Sequence, residues 1–150
     1  MIHKVGPILL LFLLLSACGR ERYPINSRPT FYFESYHGGC KEGFGKMLAG
    51  AGGGKVIISS SEQIIKIEHL YAYYNCCANI KMEVKETGSR FDVFERDEGD
   101  SCDCMCHTDI TGFICSLSYG TYLVRLFDIK GNLIGQREVT IQAEDESIPR

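Results

Sequence analysis

From Lys55 onward, apolar side chains recur at every second position, the period of a strand with one buried face. Ile80, Met82 and Val84 alternate with Lys81, Glu83 and Lys85. Thr87-Gly88-Ser89 turns the chain, and Phe91 and Val93 flank Asp92 on the return, which predicts a β-hairpin. Runs rich in β-branched and aromatic residues predict further strands over 30–36, 56–58, 64–74, 113–117, 121–127 and 133–141. Lys130-Gly131-Asn132 supplies the turn between the last two. Between Gly38 and Gly54 the glycine content is too high for either period. Residues 8–15 form an apolar run of a different kind, unbroken and far shorter than the roughly 18 residues that span a bilayer.

About seven short strands, turns between them and no long amphipathic helix predict an all-β fold, an antiparallel β-sandwich, with a barrel as the alternative. Leu117-Ser118-Tyr119-Gly120-Thr121-Tyr122-Leu123-Val124 resembles a pattern in many bacterial immunoglobulin-like domains. There, Leu-x-x-Gly-x-Tyr-x-Val leads into a closing hairpin. The resemblance covers the end of the chain and implies an immunoglobulin-like architecture, with no activity attached.

The N-terminus reads as an export signal. His3 and Lys4 precede the apolar run, and Leu15-Ser16-Ala17 places small residues before Cys18. Leu15-Ser16-Ala17-Cys18 resembles the bacterial lipobox position for position. That resemblance implies cleavage before Cys18, a diacylglyceryl thioether on its sulfur and an acyl chain such as palmitate on its new amino group. Several acyl chains on one residue hold a protein to a membrane stably, where one gives marginal binding. Gly19, rather than Asp, resembles the pattern sorted to the outer membrane in Gram-negative cells. The expected organisation is a lipoprotein signal peptide over 1–17, a lipidated tether over 18–30, a cysteine-rich β-sandwich domain over 31–142 and an acidic tail over 143–150. A chain of this length accommodates one such domain.

Net charge is −3, and the loss of Lys4 with the leader makes it one unit more acidic. No basic stripe offers itself to a phosphate backbone, so nucleic acid is not an expected partner. The expected partners are the membrane, through lipid, and an envelope protein or small ligand.

With Cys18 given to lipid, Cys40, Cys76, Cys77, Cys102, Cys104, Cys106 and Cys115 remain, and export makes disulfides the leading expectation. Cys76 or Cys77 would bridge to the Cys102–Cys106 cluster, leaving Cys40 and Cys115 for another bond. Seven is odd, so one thiol is left free, bonded to another molecule or otherwise engaged. If 102–106 were extended, Cys102, Cys104 and Cys106 would share a face at about 6.6–7 Å spacing. Those three with Cys77, or with Cys76 in its place, form a second candidate, a zinc or copper(I) thiolate site. Its spacing is unlike the paired Cys-x-x-Cys of zinc sites. No resident cofactor is expected otherwise. Asn75-Cys76-Cys77 with Cys-x-Cys-x-Cys also resembles a pattern in small secreted bacterial proteins, which implies a shared domain and brings no activity. Thiol–disulfide redox chemistry ranks third. Cys104 and Cys106 adjoin His107, but Asp100, Asp103 and Asp109 oppose a thiolate there.

No catalytic constellation emerges, and the expected class is non-enzymatic. Ala49-Gly50-Ala51-Gly52-Gly53-Gly54-Lys55 fails the phosphate-loop pattern, with Ala at its first glycine and Val56 where a Ser or Thr would hold magnesium. His37, His69 and His107 match no Ser-His-Asp signature, and His69 is expected to pack within a strand. Tyr71, Tyr73 and Tyr74 are expected to serve sheet packing. Asp97-Glu98-Gly99-Asp100 lacks the oxygen spacing of a calcium loop.

Overall fold

Alternating side chains build eight strands in a computed structural model that describes residues 31–41 and 54–142. They are β1 (Tyr32–His37), β2 (Lys55–Ser61), β3 (Ile64–Asn75), β4 (Ile80–Thr87), β5 (Arg90–Asp97), β6 (Met105–Cys115), β7 (Gly120–Phe127) and β8 (Leu133–Ile141). The leader, the lipobox, the tether, most of the glycine-rich stretch and the acidic tail lie outside the described residues.

Two four-stranded sheets stack face to face, in the orders β1-β6-β3-β2 and β4-β5-β7-β8. Ile65, Ile67, Ile110 and Ile114 from the first sheet meet Phe91, Val93, Val124 and Leu126 from the second, all fully buried. The all-β sandwich expected from the alternation is therefore the fold, with eight strands rather than about seven. One pairing departs from the antiparallel expectation. β5 and β7 run parallel, with Phe91 opposite Val124 and Val93 opposite Leu126. The chain leaves β5 into the other sheet as β6 and returns to lie beside β5. An immunoglobulin domain instead keeps strands A, B, E and D in one antiparallel sheet and C, F and G in the other. The strand order here is different.

Both expected hairpins form. β4 pairs with β5 around Gly88, and β7 with β8 around Gly131. Both glycines sit at positive φ, 61° and 82°, where a side chain would be strained. The Leu117-x-x-Gly120-x-Tyr122 pattern has a mechanical explanation. Leu117 is buried, and the Tyr122 hydroxyl donates to the Ser118 carbonyl at 2.9 Å, pinning the corner to the strand it enters.

Hydrogen bonds tie the two sheets together along both sides. On one side, Met82 N–H of β4 donates to Ser35 Oγ of β1 at 3.2 Å. On the other, Arg137 Nη1 of β8 donates to the Ile58 carbonyl of β2 at 2.8 Å. Gly135 permits the close approach there, since a Cβ at that position would fall 2.5 Å from Val56 Cγ1.

β3 contains the main irregularity. His69 pairs with Ile110 and Ala72 with Thr108, so Leu70 and Tyr71 together oppose Asp109 in a β-bulge. Tyr71 takes φ of 57°, uncommon for a bulky residue. The bulge shifts the alternation by one residue. His69, Ala72 and Tyr74 point inward while Tyr73 stays 53% exposed on the outer face. The three tyrosines therefore occupy three different environments.

Candidate functional site

The sulfur chemistry gathers at one end of the first sheet, where β3 leaves, β6 begins and β1 is prolonged by Gly38-Gly39-Cys40-Lys41. Three disulfides form there, Cys40–Cys106, Cys76–Cys104 and Cys77–Cys102, with Cα–Cα distances of 5.6, 5.5 and 5.9 Å. Asn75 organises the two strand ends. Its Oδ1 accepts from the N–H of Cys77 at 2.9 Å and from the N–H of Cys102 at 3.2 Å, and its Nδ2 donates to the Cys102 carbonyl. Cys76 N–H donates to the Cys104 carbonyl at 3.0 Å. Asn thus stands before the vicinal cysteines because its amide can hold both backbones at once.

The three bridges are neighbours. Cys102 Sγ and Cys104 Sγ lie 4.0 Å apart, and the sulfurs of Cys40, Cys76 and Cys106 all lie within 4.8 Å of one another. Vicinal Cys76 and Cys77 serve different partners, as expected. Cys40 bonds to Cys106, which corrects the expectation that it would pair with Cys115. Cys115 is 1% exposed at the end of β6 and is not a free thiol; no cysteine among the described residues is free.

The candidate metal ligands Cys77, Cys102, Cys104 and Cys106 are distributed over all three bridges. A disulfide sulfur is not a thiolate, the form that binds zinc or copper. Residues 102–104 also form a loop, with β6 starting at Met105, so the three alternate cysteines do not share one strand face. The triplet the structure brings together is Cys40, Cys76 and Cys106.

Beside the bridges, the bulge organises a polar cluster. Asp109 Oδ1 accepts from the Tyr71 N–H at 2.9 Å, and Lys41 Nζ lies 2.5 Å from Asp109 Oδ2. Lys41 also sits over the Tyr71 ring, 4.1 Å from its centroid. Burial alone would raise the Asp109 carboxyl. Lys41 and the Tyr71 N–H outweigh it and hold Asp109 below the usual carboxylate range. His107 Nδ1 lies 3.1 Å from the Tyr71 carbonyl and its ring 5.0 Å from that of Tyr73. His107 therefore supports the bulge.

Beneath the cluster, inside the sandwich, lies a polar network absent from the sequence expectations. Glu95 of β5 is fully buried. Its Oε1 is 2.8 Å from His69 Nδ1, and its Oε2 accepts from the Tyr74 hydroxyl. Burial, and then the Glu95 carboxylate, hold the Tyr74 hydroxyl far above the usual tyrosine range. A buried polar group is tolerated when it is hydrogen-bonded, and both oxygens of Glu95 are engaged from the opposite sheet. His69 packs within its strand as expected. The available signal was Glu95 itself, a carboxylate in the inward series Phe91, Val93, Glu95.

Asp97 Oδ1 accepts from the N–H groups of Asn79 and Gly99, so the acidic loop caps its own turn. No family model, no curated protein and no solved structure matches the chain.

Proposed function

We propose that the chain is an exported, lipid-anchored protein whose disulfide-stapled β-sandwich is a non-enzymatic binding or structural module at the cell envelope. The observation that carries this is the set of three neighbouring disulfides. Such bonds persist in oxidising compartments, which accords with an export signal over 1–17. Lipid at Cys18 and a polar tether over 18–30 would leave the sandwich facing its partner. For a Gram-negative source, Gly19 favours the outer membrane.

Cysteine chemistry gives this proposal a sharp competitor. Six sulfurs pair among themselves, and the anchor requires the Cys18 sulfur to carry lipid. A sulfur carries a lipid thioether or a disulfide, never both. Intact mass of the membrane-extracted protein decides between them. Acyl mass on a peptide beginning at Cys18, with release from membranes on Cys18→Ala, is the expected result. An unlipidated soluble protein with Cys18 in a disulfide would overturn the anchor. A retained soft ion with unbridged thiols would replace the stapled module with a metal carrier.

A further inference from the structure

Six sulfurs in neighbouring bridges do more than staple if one bridge can hand its bond to the next. Cys76 is placed for this. Its sulfur is bonded to Cys104 and lies within 4.8 Å of both sulfurs of the adjacent Cys40–Cys106 bridge. A thiolate freed at Cys76 therefore has a disulfide within reach after a small side-chain rotation. The outer members of these two bonds, Cys104 and Cys40, are exposed, whereas Cys76 and Cys106 are half-buried.

The chain on either side of these sulfurs is also held by hydrogen bonds that do not involve sulfur. Cys76 is held by its N–H to the Cys104 carbonyl, and the Cys102 segment by Asn75. The chain at Cys40 is held by Gly38 N–H to the Asp109 carbonyl and Lys41 N–H to the His107 carbonyl, both at 2.8 Å. Thr108 Oγ1 donates to the Gly38 carbonyl at 2.5 Å, and the Lys41–Asp109 ion pair closes the segment. Reduction of one bridge would leave these contacts in place, so the sulfurs stay near one another.

We infer that Cys40, Cys76, Cys104 and Cys106 form a thiol–disulfide exchange site that accepts two electrons from an external dithiol and presents them as two exposed thiols. This rests on the three bridges of the stapled-domain proposal and goes beyond its non-enzymatic reading by giving the module a redox partner. A thiolate of the dithiol attacks Cys104 Sγ, the Cys76–Cys104 bond breaks, and Cys76 leaves as a thiolate. Cys76 then attacks Cys106 Sγ, forming a Cys76–Cys106 bond and expelling Cys40 as a thiolate, which takes a proton. The second thiol of the dithiol attacks the mixed disulfide, releasing Cys104 as a thiol and leaving the dithiol oxidised to its disulfide. Two electrons and two protons pass from dithiol to protein. The product holds thiols at Cys40 and Cys104, with Cys77–Cys102 untouched. Run in reverse, the same pair reduces a disulfide of a partner.

The test uses the exported chain with dithiothreitol as the dithiol, in less than one equivalent. Acid quenching, alkylation and peptide mapping follow. The unreduced protein must first show the bridges 40–106, 76–104 and 77–102. Any other pairing there overturns the stapled pairing itself, before exchange is tested. After limited reduction, label on Cys40 and Cys104 with a new Cys76–Cys106 bridge is the expected outcome. Early samples should carry label on Cys76 that later moves to Cys40. Label confined to original partners, Cys76 with Cys104 or Cys40 with Cys106, would overturn the exchange site while leaving the staples intact. In the double variant Cys40→Ser/Cys106→Ser, label should stay on Cys76 and Cys104. Should that variant not fold, the map of the unaltered chain decides alone.

Discussion

Removing the disulfides one pair at a time should produce an unequal set of losses, because the three bridges are nested. Cys40–Cys106 encloses Cys76–Cys104, which encloses Cys77–Cys102, with sequence separations of 66, 28 and 25. In the chain-entropy account, each bridge stabilises by restricting the unfolded chain, and the effect grows with the logarithm of the loop closed. Taken alone, the loops would be worth about 4, 3.6 and 3.5 kcal/mol. Nesting changes the order of importance. With Cys77–Cys102 closed, Cys76–Cys104 closes only a ring of about five residues, worth about 2 kcal/mol, and the converse also holds. Cys40–Cys106 still closes a loop of about 40 residues, worth about 4 kcal/mol. Cys40→Ser/Cys106→Ser should therefore cost about twice as much as Cys76→Ser/Cys104→Ser or Cys77→Ser/Cys102→Ser. At about 4 °C per kcal/mol for a domain of this size, Tm should fall by about 16 °C against about 8 °C. The assay is thermal and urea unfolding of the oxidised variants, followed by circular dichroism and tyrosine fluorescence, since the chain has no tryptophan. Equal losses across the three variants, or an outer-bridge loss below about 1 kcal/mol, would refute the nesting.

The buried network should be expensive to break. Glu95→Ala strands His69 Nδ1 and the Tyr74 hydroxyl, for a loss of about 3–5 kcal/mol in urea unfolding, while Glu95→Gln, which keeps the shape and one acceptor, should cost about half. A Glu95→Ala loss below about 1 kcal/mol would show that the network contributes little. Gly135→Ala should cost about 1–3 kcal/mol by driving β8 from β2, and adding Val56→Ala should recover part of it; a purely additive double variant would disprove the contact. Asp109 has a lowered carboxyl pKa in the folded chain, so its contribution is present above the ordinary aspartate value, about 3.9, and is lost as pH falls through the lower folded value. Asp109→Asn should accordingly lower stability near neutrality and flatten its decline in acid; an unchanged acid limb would place that dependence elsewhere.

Local chemistry specified much of this protein. Period-two alternation identified the hairpin strands β4 and β5, and glycines at 88 and 131 marked turns that need positive φ. Cysteine number and an export-like start pointed to disulfides, and Cys40–Cys106, Cys76–Cys104 and Cys77–Cys102 form among the described residues. The same local signals failed where neighbours along the chain were uninformative. Most of β6, Met105 through Gly112, carries Cys106, His107, Thr108, Asp109 and Thr111, so no alternation announced a strand. Its outer positions face the Lys41 and Tyr71 cluster, and Thr108 is buried but bonded to the Gly38 carbonyl.

Only the tertiary structure decided which partners meet. The bulge at Leu70 and Tyr71 exists because Asp109, on another strand, accepts the displaced N–H, and that single extra residue turns Tyr74 inward and leaves Tyr73 outside. Glu95 is acceptable in the core because His69 and Tyr74 arrive from the opposite sheet. The parallel β5–β7 pair and the choice of Cys106 over Cys115 by Cys40 likewise depend on strands far apart in the chain. Side-chain period and turn propensity are properties of a few consecutive residues, and so are legible in sequence. Pairing across sheets is set by which surfaces close over one core, and is decided only when the whole sandwich forms.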